Sequence, residues 1–363
     1  MTMDFDLIKG NGIFGIFGWD SALTVDNNIL QNMSGDDSSG LYYELCTYFR
    51  APGFTDGDRA DITFTGNTFI DAGRVGIVTH DYIYATIEGN TFYKTMDDFG
   101  YGVEVGSQST GVVSNNVIYG YDTPAATDQS ESAGIYIENA FTGTGFGGPG
   151  PQISKNVTVE NNEIYDCQYA MWIGNGYDTY AGDVDINVTL TGNNFHDNLE
   201  GGLIIQDEDR EDGSSVTVNG SGNTVVDNGT YGYYIFTQGD GQINVSLTSE
   251  TITGNDIGMQ VDDTAGGAST SFYSVAVNGS NISNNTTFGV NNTVTSFIVD
   301  AENNFWGHPK GPFDPDGLDE TDGSTCFDPA TMVNVDGLGN DVSDLYVDYC
   351  PWSLFQSPDI DTD

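Results

Sequence analysis

The chain has 363 residues, with 54 Asp and Glu against 8 Lys and Arg, giving a formal net charge of -46 at pH 7. This charge excludes binding to a nucleic-acid backbone or an anionic membrane surface, because the phosphates would be repelled and the cations are too few to form a groove. The 48 glycines, with many Asn, Thr, Asp and Val residues, favour short strands and tight turns over helices. No apolar run is long enough to span a bilayer, so we expect no transmembrane segment.

The start of the chain has no secretory signal, since residues 1–10 lack a basic start followed by an apolar stretch. Residues 10–30 already have the pattern of an interior repeat. We therefore expect a fragment or a processed form of a longer protein. The acidity fits either a salt-exposed protein or an outer surface that holds cations.

One short pattern recurs along the chain: an apolar residue, two or three linking residues, Asn, any residue, and a second apolar residue. Its closing apolar residues are 23 and 26 residues apart at Phe69, Phe92 and Ile118. A small residue followed by an apolar one comes after each copy, as in Gly76-Ile77. The polar position of the pattern is occupied by Asn27, Asn67, Asn90, Asn116, Asn162 and Asn193, and in weaker copies by Asn223, Glu250, Ser280 and Asn303.

This repeat predicts an all-β fold, a right-handed parallel β-helix (a solenoid) of about ten or more coils. Each coil would have two or three short strands that form hydrogen bonds with the coils above and below. The recurring Asn would then lie at one corner, where its side chain bonds backbone groups, so we interpret it as structural rather than catalytic. A β-sandwich would not place the same Asn and Gly in every unit.

The period is interrupted at several places, which predicts the domain organisation. The β-helix is expected over residues 1–312, with loop insertions near 35–61, 120–133 and 140–152. Residues 313–363 are expected to form an acidic C-terminal cap and tail, because the last coil of a solenoid must be covered. Loops on one side of a solenoid commonly build its binding face.

The repeat resembles that of the pectate-lyase-like right-handed parallel β-helix superfamily. The segment from Asn303 to Pro312, Asn-Asn-Phe-Trp-Gly-His-Pro-Lys-Gly-Pro, resembles an element that often closes such helices in large bacterial and archaeal surface proteins. The resemblance implies that lyases on this fold use a Lys or Arg base near carboxylates that hold calcium, and that hydrolases use a group of aspartates.

Few basic residues are available for such chemistry. Arg74 lies in a corner turn before His80 and Asp81, and these three are the catalytic candidates. We interpret His80, His196 and His308 as ordinary polar residues, because they fall in different coils and show no metal-ligand spacing.

No cofactor is indicated with certainty. Calcium is the candidate, held by Asp314, Asp316, Asp319 and Asp322, although their spacing does not match the twelve-residue calcium loop and a plain acidic turn remains the alternative. Cys326 and Cys350 are predicted to form a disulfide that closes the C-terminal segment, with buried thiols as the alternative. The pairing of Cys46 and Cys167 stays open.

Sequons and aromatic residues suggest the surroundings in which the chain works. Glycosylation candidates are Asn187, Asn219, Asn228, Asn244 and Asn278, and candidate exposed aromatics are Tyr177, Tyr180, Tyr231 and Tyr234. We predict an extracellular or cell-surface structural or adhesive protein, part of a surface layer, sheath or adhesin, whose partners are carbohydrate or copies of itself. The alternative is a secreted polysaccharide-active enzyme: a lyase, a glycoside hydrolase or an epimerase.

Overall fold

The fold was examined in a computed structural model of the chain. It describes residues 2–3, 7–9, 14–33, 45–123, 131–139, 154–175, 185–207, 215–237, 242–263, 272–294, 296–313, 337–342 and 347–356. Within these ranges every regular element is a β-strand, and the strands form three sheets, A, B and C, in which each strand pairs in parallel with the equivalent strands of the neighbouring coils. No helix in the described ranges could span a membrane.

Each coil contributes its strands in the order A, B, C. Sheet A contains β1 Thr2–Met3, β4 Leu23–Asp26, β7 Ala60–Thr65, β10 Ile83–Glu88, β13 Thr110–Ser114, β16 Lys155–Glu160, β19 Asp185–Thr191, β22 Ser215–Ser221, β25 Gln242–Thr248, β28 Phe272–Asn278, β31 Val299–Asp300 and β32 Val347–Asp348. Sheet B contains β2 Leu7–Lys9, β5 Ile29–Met33, β8 Thr68–Ala72, β11 Thr91–Tyr93, β14 Val117–Tyr119, β17 Glu163–Tyr165, β20 Asn194–His196, β23 Thr224–Val226, β26 Thr251–Thr253 and β29 Asn281–Ser283. Sheet C contains β3 Phe14–Trp19, β6 Leu45–Ala51, β9 Val75–Asp81, β12 Tyr101–Val105, β15 Ala133–Glu138, β18 Tyr169–Asn175, β21 Gly201–Asp207, β24 Tyr231–Thr237, β27 Ile257–Asp263 and β30 Phe288–Asn292.

Alternation within the strands builds the core. In sheet A, Phe64 pairs with Ile87, which pairs with Val113, and all three are buried. Between the inward positions, side chains such as Tyr84 point outward and are exposed. Because like residues lie over like in successive coils, the inward positions form one continuous hydrophobic core along the solenoid.

The small residue before the third strand is required by close packing. A Cβ atom added at Gly76 would lie 2.6 Å from the carbonyl oxygen of Gly102 and 3.0 Å from the Phe92 ring. The repeated small-apolar pair therefore marks the point where the chain enters sheet C against the coil above it.

The predicted corner asparagines form a continuous hydrogen-bonded ladder between sheets A and B. Asn67, for example, donates from its backbone N and its side-chain Nδ2 to Asn90 Oδ1, at 2.9 Å each. The ladder is Asn28, Asn67, Asn90, Asn116, Asn162, Asn193, Asn223, Glu250, Ser280 and Asn304. The structural role predicted for these residues agrees with this arrangement.

Two of the predicted positions are wrong by one residue. Asn27 and Asn303 are not ladder members, because each has a positive φ and turns the chain immediately before the buried ladder residue, Asn28 and Asn304. The left-handed residue and the ladder residue form an adjacent pair, and Asn fits either place. A second ladder, which the sequence pattern did not reveal, runs between sheets B and C through Asn198, Asn228, Asn255, Asn285 and Asn340.

One member of the first ladder departs from the repeat and is ionisable. Glu250 is fully buried and accepts hydrogen bonds from Asn223 Nδ2 at 3.0 Å and from the Tyr233 hydroxyl at 2.7 Å. Burial raises the pKa of the Glu250 carboxyl to about 7, and the two hydrogen bonds oppose that rise.

The predicted loops and cap are described in part. Residues 35–61 do not form one loop throughout, because β6 lies within that range and pairs with both neighbouring strands of sheet C. Of the insertion at 120–133, the structure describes only 121–123 and 131–133, and residues 140–152 lie outside the described ranges. At the C-terminal end, β32 pairs with β31, and Val342 bridges Val290, so the described part of residues 313–363 packs against the last coil.

Candidate functional site

The outer side of sheet C carries a second hydrophobic cluster, separate from the core. In this sheet Ile77, Val103 and Ile135 pair with one another and point inward, whereas the adjacent positions Val78 and Tyr136 belong to the second cluster. Most side chains on the outside of a solenoid face water, so an apolar outer surface marks a region of interaction.

Aromatic rings dominate this surface, which we call the aromatic face: Tyr101, Tyr136, Trp172, Tyr234 and Phe236. The Tyr101 and Tyr136 ring centroids are 4.7 Å apart, and those of Tyr136 and Trp172 are 5.0 Å apart. Farther along, the centroids of Tyr234 and Phe236 are 4.6 Å apart. Tyr136, Trp172 and Tyr234 are each partly exposed.

Amide side chains lie among these rings. Trp172 Nε1 donates to Gln206 Oε1 at 3.1 Å. Two coils beyond Ile204 in the same register column, Gln260 Oε1 accepts from Asn291 Nδ2 at 2.7 Å. Ring faces next to amide groups combine apolar contact with directed hydrogen bonding.

A polar group lies at one end of the aromatic face. His80 on β9, Glu104 on β12 and Glu138 on β15 come from three consecutive strands, and we call them the His80 group. His80 Nε2 is 3.1 Å from Glu104 Oε1 and 3.8 Å from Glu138 Oε1. His80 and Glu104 are each 7% exposed and Glu138 is fully buried. One ligand atom of each lies within 4.8 Å of the others, so the three could hold a metal ion.

An ion pair adjoins this group. Arg50, on β6, donates from Nε to Asp81 Oδ2 at 2.6 Å and from its terminal nitrogen to Oδ1 at 2.9 Å. Tyr48 lies against His80 with its ring edge-on at 5.4 Å between centroids, and burial raises the pKa of Tyr48 to about 12. Asp81 is therefore engaged by Arg50, and Tyr48 fixes one side of the imidazole.

A buried lysine approaches from inside the solenoid. Lys155 begins β16, and its amino group donates to the backbone carbonyls of Val105, at 2.7 Å, and Glu138. Burial lowers the pKa of Lys155 to about 8, against the nearby charges of Glu138 and Glu104.

The structure divides the three predicted catalytic residues. His80 and Asp81 lie at the end of β9, but Arg74 precedes the strand and is roughly 20 Å away along the extended backbone. The Arg74 guanidinium lies over the Phe99 ring, 4.9 Å from its centroid. The grouping of Arg74 with His80 is therefore wrong, because an extended strand separates the two residues.

Treating His80 as an ordinary polar residue was also wrong, because coil stacking brings it to two carboxylates. His196 does lie on the outside of sheet B beside Asp197 and Glu163, and His308 Nδ1 accepts from Lys310 N. Sequence reasoning missed Glu104, Glu138, Arg50 and Lys155. A signal existed: when the pairs Gly76-Ile77 and Gly134-Ile135 are aligned, His80 and Glu138 fall at the same position of the repeat.

Other predicted site residues lie elsewhere. Asp314, Asp316, Asp319 and Asp322, proposed as calcium ligands, are outside the described residues, as are Tyr177 and Tyr180. Cys350 is buried and disulfide-bonded, and its predicted partner Cys326 is outside the described residues. Cys46 and Cys167 are free and buried, and burial raises the pKa of both thiols. Tyr234 is on the aromatic face, and its ring centroid is 4.6 Å from that of Tyr231.

The glycosylation candidates separate into two kinds. Asn219 is exposed, and Asn187, Asn244 and Asn278 are partly exposed, all on sheet A. Asn228 is only 2% exposed and belongs to the second ladder, where its Nδ2 donates to Asn255 Oδ1 and Phe195 O. Asn228 cannot carry a glycan in this fold, so its selection was wrong, whereas the other four remain predictions.

A comparison with known families defines the class of the protein. The family model for right-handed β-helix regions matches residues 2–265. The chain therefore belongs to the right-handed β-helix family, which confirms the predicted fold and its handedness and agrees with the resemblance to the pectate-lyase-like superfamily. No curated protein and no solved structure matches the chain. The family defines the fold, and the function must be argued from the site.

Proposed function

We propose that this protein is an extracellular or cell-surface β-helix that binds neutral polysaccharide along the aromatic face of sheet C. The observation that carries the proposal is the run of outward rings that includes Tyr136 and Trp172, with Gln206 hydrogen-bonded beside them. A pyranose ring has a flat C–H face that packs on an aromatic ring, and its hydroxyls pair with amide and carboxylate groups. A long solenoid repeats such positions in the direction of an extended chain.

The charge of the protein specifies the kind of polysaccharide. A net charge of -46 repels polyanions such as pectate and alginate. Neutral chains carry no such penalty. A role in end-to-end assembly has less support at the C-terminal end, where β32 and Val342 pack against the last coil.

Affinity electrophoresis in gels that contain mixed-linkage β-glucan, xylan or galactomannan tests the proposal, with polygalacturonate and alginate as anionic comparators. Oligosaccharides of any retarding polymer are then titrated by calorimetry. We expect at least one neutral polymer to bind more tightly than both anionic ones. We expect Trp172→Ala to lower the affinity about tenfold, because ring contacts of this kind contribute on the order of 1 kcal/mol or more.

The matched control is Tyr84→Ala, which removes an aromatic ring that is 40% exposed on sheet A. It should leave the affinity unchanged. Circular dichroism of both variants checks that the coil structure is retained. Equal affinity of wild type and Trp172→Ala, or retardation by anionic polymers alone, would contradict the proposal.

The second candidate function is a polysaccharide-active enzyme, and the His80 group favours it specifically. An imidazole 3.1 Å from one carboxylate and 3.8 Å from another, at the end of a ring-lined surface, has the composition of an acid–base site. Assays for unsaturated products, new reducing ends and sugar epimers would separate lyase, hydrolase and epimerase. An activity on a bound polymer that falls at least a hundredfold in Glu104→Gln, and is unchanged in the exposed variant Glu88→Gln, would establish this function. Its absence would leave binding alone.

A further inference from the structure

The His80 group is built by coil register rather than by a local motif. Arg50, His80, Gly106 and Glu138 follow one another in one column of sheet C, because Arg50 pairs with His80 and the Val105 register places Gly106 between His80 and Glu138. His80 and Glu138 are therefore two coils apart, about 10 Å along the solenoid axis. Their side chains nevertheless come within 3.8 Å.

Glycine at position 106 makes this contact feasible. A Cβ atom there would lie 2.4 Å from His80 Nε2 and 2.4 Å from Glu138 Oε1. Any other residue would fill the space in which the two side chains meet. Glu104, two residues earlier on the same strand, reaches this space from the neighbouring column.

The charges at this place are unbalanced toward the negative. Two carboxylates, one fully buried, face one imidazole. The nearest cations are directed elsewhere: Arg50 makes a bidentate pair with Asp81, and Lys155 donates to backbone carbonyls. Glu138 Oε1 also accepts from the backbone N of Ser107 at 3.3 Å. Burying two carboxylates so close together is costly unless a positive charge joins them.

We propose that His80, Glu104 and Glu138 bind one divalent transition-metal ion, Zn²⁺ or Mn²⁺, which joins three consecutive coils of sheet C. One imidazole nitrogen with two carboxylate oxygens is a ligand set of these borderline metals, whereas Ca²⁺ and Mg²⁺ prefer sites made of oxygen alone. Water would supply the remaining ligands. The site is separate from the acidic segment around Asp314, and the proposal does not depend on carbohydrate binding.

The first test is calorimetric titration of the chelator-treated protein with ZnCl₂, MnCl₂ and CaCl₂ at high salt, which screens the diffuse acidic surface. We expect one Zn²⁺ or Mn²⁺ per chain at micromolar or lower Kd, and a higher melting temperature with the metal, because an ion that binds only the folded state stabilises it. His80→Gln with Glu138→Gln should weaken this binding at least a hundredfold. The absence of a one-to-one site in the wild type would overturn the proposal.

The matched control is His196→Gln. His196 also lies beside two carboxylates, Asp197 at 2.8 Å and Glu163 at 3.5 Å, but on the outside of sheet B. This variant should bind the metal as the wild type does. If it loses binding and the His80 variant does not, the site is on sheet B and the proposal is wrong.

A second measurement uses the wild type and so does not depend on any variant folding. The chain has three histidines, whose imidazole resonances can be assigned and followed by NMR. Sub-stoichiometric Mn²⁺ should broaden the His80 resonances before those of His196 and His308. Equal broadening of all three would indicate diffuse surface binding and would contradict the site. Gly106→Ala should remove the selective broadening although all three ligand residues are kept, because its Cβ occupies the ligand space.

Discussion

The corner ladder and the outer face of sheet C use the same coil-to-coil register in opposite ways. At the corner, residues 67, 90, 116, 162 and 193 are all Asn, and each side chain satisfies the backbone of the previous coil. On sheet C, the column that contains His80 places a different residue in almost every coil, from Arg50 to Gly106 and Glu138. Repetition at the corner serves the fold, and variation on the face builds a site.

The comparison also identifies a departure in the interior. Glu250 replaces Asn in the ladder and brings a carboxyl into a position where its neighbours carry neutral amides. An unusual residue in a repeated column is therefore informative in either region, but its consequence differs. On the outer face it creates chemistry, whereas inside it makes stability depend on pH.

Breaking the repetition should have the largest effect. In Asn162→Ala the Asn116 backbone N and Nδ2 lose their acceptor, at 3.0 and 2.9 Å, and Val113 O loses its donor. Because these groups are buried and each orphan costs roughly 1–3 kcal/mol, we expect a loss of about 4 kcal/mol in the free energy of unfolding, measured with denaturant. Asn156→Ala, an exposed change in the same coil, should cost less than about 0.5 kcal/mol. Equal losses would mean that the ladder has no special structural role.

The departure at Glu250 should have the next largest effect. The pKa of this carboxyl is raised from 4.5 to about 7, so the folded state holds the proton more tightly than the unfolded state. Its contribution to stability is therefore complete below pH 4.5 and is lost as pH rises through about 7. The loss corresponds to about 3 kcal/mol.

Glu250→Gln keeps the shape of the side chain without the charge and tests this linkage. The variant and the wild type should be equally stable at pH 4, and the variant should be more stable by about 3 kcal/mol at pH 8.5. Denaturant unfolding across this pH range measures the difference. Glu88→Gln, at an exposed position, should show no such divergence. A constant difference between variant and wild type at all pH values would show that Glu250 does not titrate in this range.

The regular part of the fold could be predicted because it is written in every coil. The ladder positions, the small-apolar pairs and the inward apolar residues recur many times, so a single sequence contains its own alignment. The one-residue errors at Asn27 and Asn303 arose where the left-handed turn residue was itself Asn, which made two adjacent positions chemically equivalent. Strand β6 was missed because the regular pattern is interrupted on either side of it.

The candidate site could not be predicted in the same way, because it consists of departures from the repeat. His80, Glu104 and Glu138 are 24 and 34 residues apart in sequence, and each looks like an ordinary polar residue within its own strand. Only the register between coils, and a glycine at position 106, brings them together. Arg74 attracted attention because it is close to His80 in sequence, but an extended strand converts that closeness into distance.

The smallest effect should come from repetition on an outer surface. On sheet B the Tyr119 ring lies nearly parallel to those of Tyr93 and Tyr165, with centroids 5.4 and 5.0 Å away, and it is partly exposed. Tyr119→Thr introduces the residue found in the same column at Thr253, so strand geometry is kept and the ring contacts are removed. We expect a loss of about 1 kcal/mol in denaturant unfolding. Val226→Thr, in the same column, should cost less than about 0.5 kcal/mol. A loss for Tyr119→Thr as large as that for Asn162→Ala would contradict the division between the two regions, because a water-facing column would then stabilise the coils as strongly as the buried one.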